Sequence, residues 1–98
     1  MAHHTAGHVL AEIAVEPAVE GTPHGELVEK AIDALDGPDL TMRVGPLSTM
    51  VEGQIDDVLH AVARAHQTAA NAAERVITTV RIESKKEWLE LGQRGAKI

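Results

Sequence analysis

The chain has 98 residues, which is the length of one domain and excludes a multidomain enzyme. Fifteen acidic residues against nine basic ones give a formal net charge of −6, the wrong sign for a nucleic-acid or anionic-membrane partner. The absence of cysteine excludes disulfides, thiolate metal sites and cysteine catalysis. The sequence shows neither a secretory signal nor a membrane-spanning stretch, so we expect a soluble cytoplasmic protein.

Three segments are expected along the chain: a flexible leader over 1–8, one folded domain over 9–83, and a C-terminal helix with a tail over 84–98. The leader contains three histidines, which are too few ligands in a flexible segment to predict a metal site. A first strand runs from Val9 to Glu16, where apolar and polar residues alternate, and Pro17 ends it.

A first helix follows, with Thr22 as its N-cap and Pro23 at its first position. Its apolar residues fall on one stripe, and Asp36 to Asp39 ends it with Gly and Pro. The segments 40–44 and 48–52 each alternate again, and the turn at Gly45 and Pro46 predicts a hairpin between them.

A second helix is predicted from Gln54 to about Ala70. Its expected buried stripe consists of Ile55, Val58, Leu59, Val62, Ala65 and Ala69. The run from Arg75 to Glu83 is rich in Val, Ile and Thr, which predicts a fourth strand. Ser84 and Glu87 have the spacing of a capping box, which predicts a short terminal helix carrying Trp88.

The predicted element order is β-α-β-β-α-β, which is the α+β, ferredoxin-like arrangement. Right-handed crossovers place both helices on one face of a four-stranded antiparallel sheet with spatial order 4-1-3-2. The other face is open, and Leu10 and Ala14 on it predict a contact between subunits. A small chain with a single Trp and no Phe or Tyr also favours oligomerisation.

Three polar residues stand out within this pattern. His66 falls on the expected buried stripe, either as a core histidine bonded to the backbone or as a group that reads a ligand. Thr78 interrupts an apolar strand face, and a buried hydroxyl there needs a partner. Glu52 either lies in solvent at a helix N-terminus or belongs to a site.

Catalytic templates fit the chain poorly. It has no phosphate-binding glycine loop with its lysine, and no nucleophile or metalloprotease spacing. An acylphosphatase, a small enzyme of this fold class, would carry an arginine in an anion-binding loop after the first strand. The corresponding segment here, 17–21, contains Glu20 instead. We therefore expect no enzymatic activity and no metal.

The stretch Gly45-Pro46-Leu47-Ser48-Thr49-Met50-Val51-Glu52-Gly53 resembles the thiamine-binding protein family, small YkoF-like proteins. Their pattern is a Pro, a Thr, an apolar pair and Glu-Gly, then an acidic amphipathic helix with a late His, then a strand rich in Val and Thr. Pro46, Thr49, Glu52, Gly53, His66 and the segment 75–79 occupy those places. This chain departs from the family in having Ser48 where a Gly is common.

The resemblance implies a ferredoxin-like fold, homodimers or homotetramers formed through the sheets, and binding of thiamine or its hydroxymethylpyrimidine portion without turnover. No cofactor beyond that ligand is implied. Glu52 would contact the exocyclic amine or the thiazolium, His66, Thr49 and Thr78 would supply hydrogen bonds, and Met50 would form part of the wall. Ser48 is the remaining candidate ligand-binding residue. The alternative is a structural or regulatory homo-oligomer that binds a different effector.

Overall fold

The computed structural model describes residues 7–17 and 24–84. Within these ranges the chain forms β1 (His8–Pro17), α1 (His24–Leu35), β2 (Thr41–Val44), β3 (Thr49–Gln54), α2 (Ile55–Ala70) and β4 (Val76–Glu83). This order confirms the predicted ferredoxin-like arrangement. The predicted helix start at Thr22 and Pro23 and the predicted C-terminal helix with Trp88 lie outside the described residues.

The four strands form one antiparallel sheet in the order β2-β3-β1-β4, as predicted from crossover handedness. The first strand in sequence therefore occupies an inner position between β3 and β4. It pairs with β3 from His8 to Ile13 and with β4 from Leu10 to Pro17. Strands β2 and β4 form the two edges.

The core lies between the sheet and the two helices. Alternate residues of β1, beginning with Val9, point toward the helices because successive side chains of a strand face opposite sides. The stripe of α2 that meets them consists largely of alanine, so helix and sheet approach closely. The buried residues of this layer are Val9, Ala11, Ile13, Ala31, Leu35, Val51, Val58, Ala61, Ala65 and Ala69.

The buried stripe of α2 differs from the predicted one. Ile55 and Leu59 are 36% and 47% exposed, whereas Ala61, which was not in the predicted stripe, is fully buried. Val58, Ala65 and Ala69 of the predicted stripe are buried, and the helix is rotated so that Ala61 joins them while Ile55 and Leu59 lie toward the surface. The period of the pattern was read correctly, but the face at this end of the helix was wrong.

The loop before β2 packs closely against β3 at Gly53. A Cβ atom at Gly53 would lie 2.6 Å from Cδ2 of Leu40 and 3.1 Å from the carbonyl oxygen of Asp39. Gln54 ends β3 with extended backbone angles, φ −70° and ψ 143°, and α2 begins at the next residue. The Glu-Gly pair is thus followed almost directly by the helix.

Candidate functional site

A cleft opens between α1, the C-terminal part of β1 and the turn that joins β2 to β3. Ile13 and Val15 of β1 lie on one side of it, and Val28, Ile32 and Leu35 of α1 form an apolar wall. Residues 45–49 close the third side. The cleft has a volume of about 90 Å³ and is partly open to solvent, so it is smaller than the pockets that enclose a whole drug-sized ligand.

Thr49 places a hydroxyl in this apolar cleft. It is only 2% exposed and lies beside Ile13, its cross-strand partner, on the helix face. Among the described residues no buried side-chain N or O atom lacks a partner, yet none of their side-chain hydrogen bonds uses Thr49. The hydroxyl therefore meets the open space of the cleft, where it can donate or accept.

Ser48 lines the mouth of the cleft, but its hydroxyl is already engaged. Its Oγ donates to Oε2 of Glu12 on β1, over 3.0 Å. The turn itself is closed by a 2.9 Å hydrogen bond from the Gly45 amide to the Ser48 carbonyl. Ser48 therefore fixes the turn to β1, and its hydroxyl proton is not directed at a ligand.

Glu52 and Met50 lie on the open face, which we define as the side of the sheet opposite the helices. Glu52 is only 5% exposed there, and its Oε2 is 2.8 Å from Nε2 of His8. The interpretation of Glu52 as a solvated carboxylate is therefore wrong. Its neighbour across β1, Leu10, is also buried at 5% exposure, so this part of the open face is shielded from water.

His66 and Thr78 form a third group, where α2 meets the edge strand β4. His66 is exposed, which corrects its predicted burial, and its Nδ1 lies 2.7 Å from Oγ1 of Thr78. The angular prediction that His66 shares a face with Ile55 was sound, but that face is the exposed one. Thr78 is half-buried on the helix side and has the partner that its position required.

The six residues predicted to bind a ligand therefore occupy three places within one chain. Thr49 and Ser48 lie at the cleft, Met50 and Glu52 on the open face, and His66 and Thr78 at the α2–β4 contact. Their role in ligand binding stays a prediction. Val15, His8 and the α1 wall also belong to these places, and no motif in the sequence marks them as candidates. The cleft exists because β1 has 10 residues and β3 has only 6. The alternating pattern of the sequence does not reveal this difference in length.

Two further properties bound the chemistry of the described part of the chain. Over residues 7–17 and 24–84 no group of three or more His, Asp or Glu side chains is arranged to hold a metal ion. Neither of the two described helices has the length and apolar character required to span a membrane.

The fold and the cleft together define a small ferredoxin-like protein with a small cleft whose described lining is mostly apolar. Comparison with known families agrees with this class. The model of the family described as thiamine-binding protein matches residues 11–95. The chain belongs to this family, as its sequence motifs predicted.

The chain is also similar to curated relatives and to solved structures. It is 32% identical over 79 residues to the UPF0045 protein MJ1052 of Methanocaldococcus jannaschii, covering 81% of this chain and 79% of that protein. It is 33% identical over 82 residues to the UPF0045 protein CPE1503 of Clostridium perfringens, covering 83% and 86%. The crystal structure of MJ1052 superimposes with a TM-score of 0.84 at 30% identity, over 93% of this chain and 94% of that one.

A structure from Thermotoga maritima gives a TM-score of 0.80 at 26% identity, covering 92% of this chain and 97% of that one. That protein is provisionally assigned to thiamine biosynthesis or salvage. Together with the family description, this supports a binding role. None of these matches indicates a catalytic family.

Proposed function

We propose that this protein binds thiamine or its hydroxymethylpyrimidine portion in the cleft between α1, β1 and the β2–β3 turn, without chemical turnover. The observation that carries the proposal is the hydroxyl of Thr49, a residue only 2% exposed, among apolar walls in a cleft of about 90 Å³. An apolar slot with few convergent polar groups suits a flat, neutral heterocycle.

The charge distribution supports the same ligand class. Within residues 7–17 and 24–84, the side chains that line the cleft carry no charge, which suits the pyrimidine ring. The thiazolium of thiamine is a cation, and a chain with net charge −6 attracts a cation from a distance. Family membership supports the proposal independently of this geometry.

Calorimetric titration with thiamine and with hydroxymethylpyrimidine tests the proposal on the wild type and on Thr49→Val. Valine keeps the shape of threonine and removes its hydroxyl, so we expect a Kd about 2-fold to 10-fold weaker, the equivalent of one hydrogen bond. Thr41→Val is the matched control, because Thr41 is exposed on the open face of β2. It should leave Kd unchanged.

The same titration distinguishes the cleft from the other two groups of predicted residues. Glu52→Gln and His66→Ala change positions outside the cleft, and we expect both to bind with nearly wild-type affinity. Loss of affinity in these two, with Thr49→Val unaffected, would move the site to the open face or the α2–β4 contact. Absence of any heat at millimolar ligand would overturn the proposed function.

The alternative function is a structural or regulatory homo-oligomer that binds another effector. One observation favours self-association in either case: Ile77 is 42% exposed on the open face of edge strand β4. β4 is an edge strand of the described sheet, and an edge strand is a template for pairing with another chain, to which Ile77 adds apolar surface. We propose that the protein forms homodimers or homotetramers through this region of the sheet.

A further inference from the structure

The main chain of β1 is exposed inside the cleft over a short stretch. Its pairing with β3 ends at Ile13 opposite Thr49, but its pairing with β4 continues to Pro17 opposite Val76. Residues 14–17 therefore have a strand partner on one side only. On the other side lies the cleft, which Ala14 and Val15 line.

The register shows which main-chain groups face the cleft. In an antiparallel pair, every second residue directs both its N–H and its C=O at the neighbouring strand. The Ile55 amide donates to the Gly7 carbonyl over 2.7 Å, and this pair continues the β1–β3 register by one position. Odd-numbered residues of β1 thus bond toward β3, and the next one beyond Ile13 is Val15.

Val15 therefore presents a donor and an acceptor side by side to the cleft. No ladder partner faces it, since the turn over 45–48 closes on itself through the Gly45 to Ser48 bond. No other hydrogen bond of these two groups occurs in the described part of the chain. Pro17 occupies the next odd position, where a missing N–H costs no ladder bond, and this fits an edge without a strand partner.

Val15 is half-buried, and main-chain groups that become buried require partners, so a cleft that leaves both groups open is suited to a ligand that supplies them. We infer that Val15 reads the edge of an aminopyrimidine: its N–H donates to a ring nitrogen, and its C=O accepts from the exocyclic amine. This inference rests on the proposed function and names the part of the ligand that enters the cleft. This pairing would allow the cleft to select an aminopyrimidine without using a charged side chain.

The analogue of thiamine with an oxo group in place of the exocyclic amine tests this pairing. In this analogue the acceptor lies where the donor was, and the adjacent ring nitrogen carries a proton. Both hydrogen bonds to Val15 are then reversed in polarity. We expect calorimetric Kd values at least about tenfold weaker than for thiamine, since both groups lose their partners.

Amide NMR provides a second test, made on the unmodified protein. On saturation with hydroxymethylpyrimidine, the Val15 amide proton should shift downfield and exchange more slowly with solvent. The Ala11 amide, which already lies in the β1–β3 ladder, serves as the internal control and should not change. Val15→Pro removes the N–H without breaking the β4 ladder and should weaken binding, whereas Val15→Ala keeps the N–H and should retain selectivity against the oxo analogue.

The outcomes separate the two proposals. Equal affinity for thiamine and its oxo analogue, or a Val15 amide that does not respond to a bound ligand, overturns the reading by Val15 and leaves the proposed function standing. Failure of both thiamine and hydroxymethylpyrimidine to bind overturns the proposed function, and the inference with it. If Val15→Pro does not fold, the analogue and the NMR experiment still decide.

Discussion

At the scale of single residues, the sequence revealed which positions are unusual but not what surrounds them. His66 was placed at the correct angle on α2, yet its surroundings depended on how the helix is rotated over the sheet. Glu52 was a candidate on sequence grounds, and its proximity to His8 joins residues 44 positions apart. Local periodicity carries no information about contacts of that separation.

Gly53 gives a prediction at this scale. Gly53→Ala introduces a Cβ atom 2.6 Å from Leu40 Cδ2 and 3.1 Å from a backbone oxygen, so the loop before β2 must shift. We expect the free energy of unfolding to fall by about 1–3 kcal/mol, measured by urea denaturation.

Gly25→Ala is the matched control for this prediction. Gly25 lies in the first turn of α1, and no atom is within 4 Å of the position that its Cβ would take. Alanine there should be neutral or stabilising by up to about 1 kcal/mol. Equal effects of the two substitutions would contradict the close approach at Gly53.

At the scale of elements, the spacing of apolar residues and the Gly, Pro and capping residues between segments predicted all six described helices and strands. The largest boundary difference lies at β3, which was expected over 48–52 and extends from Thr49 to Gln54. Residues Gly53 and Gln54 were assigned to a break and a helix start, since glycine usually interrupts a strand. Here the glycine continues the strand because its missing side chain makes room for Leu40.

Arg64 joins the two helices and supports a prediction at this scale. Its Nε donates to the Ala34 carbonyl over 3.1 Å, and its Nη2 donates to the Asp36 carbonyl over 3.4 Å. These carbonyls lie at the C-terminal end of α1, where helix carbonyls lack partners within the helix.

Arg64→Met should lower the free energy of unfolding by about 1 kcal/mol, a modest value because water competes for these exposed bonds. Amide exchange in the last turn of α1 should accelerate as well. Arg43→Met is the control, since Arg43 is exposed on the open face of β2. A loss of stability of the same size in both variants would contradict the role of Arg64 at the helix end.

At the scale of the whole molecule, crossover handedness was sufficient to predict the sheet order. The cleft could not be predicted, because it depends on β1 extending past the end of β3 by several residues. Alternation carries no register between β1 and β3, so it could not show that Val15 lies beyond their last pair, Ile13 with Thr49. Small differences in strand length thus decide where the fold has room for a ligand.

Self-association gives a prediction for the intact particle. Light scattering after gel filtration should give a multiple of the 10.4 kDa chain mass. Ile77→Glu should shift the protein toward the monomer, because it places a charge on the open face of edge strand β4.

Leu59→Glu provides the comparison for self-association. Leu59 is also an exposed aliphatic residue, 47% accessible, but it lies on α2 away from the sheet. This variant should retain the wild-type mass. A wild type that elutes and scatters as a monomer would refute the assembly, and the same shift in both variants would refute the choice of surface.

The inner position of β1 has a consequence for folding during synthesis of the protein. On the ribosome β1 is synthesised before the other described elements, but its partner β4 emerges after all of them. Until then one side of β1 presents bare main chain along the register from Leu10 to Pro17, together with the apolar face that later becomes the core. The nascent domain is thus most prone to aggregate just before β4 emerges, and translation pauses ahead of β4 should reduce its yield.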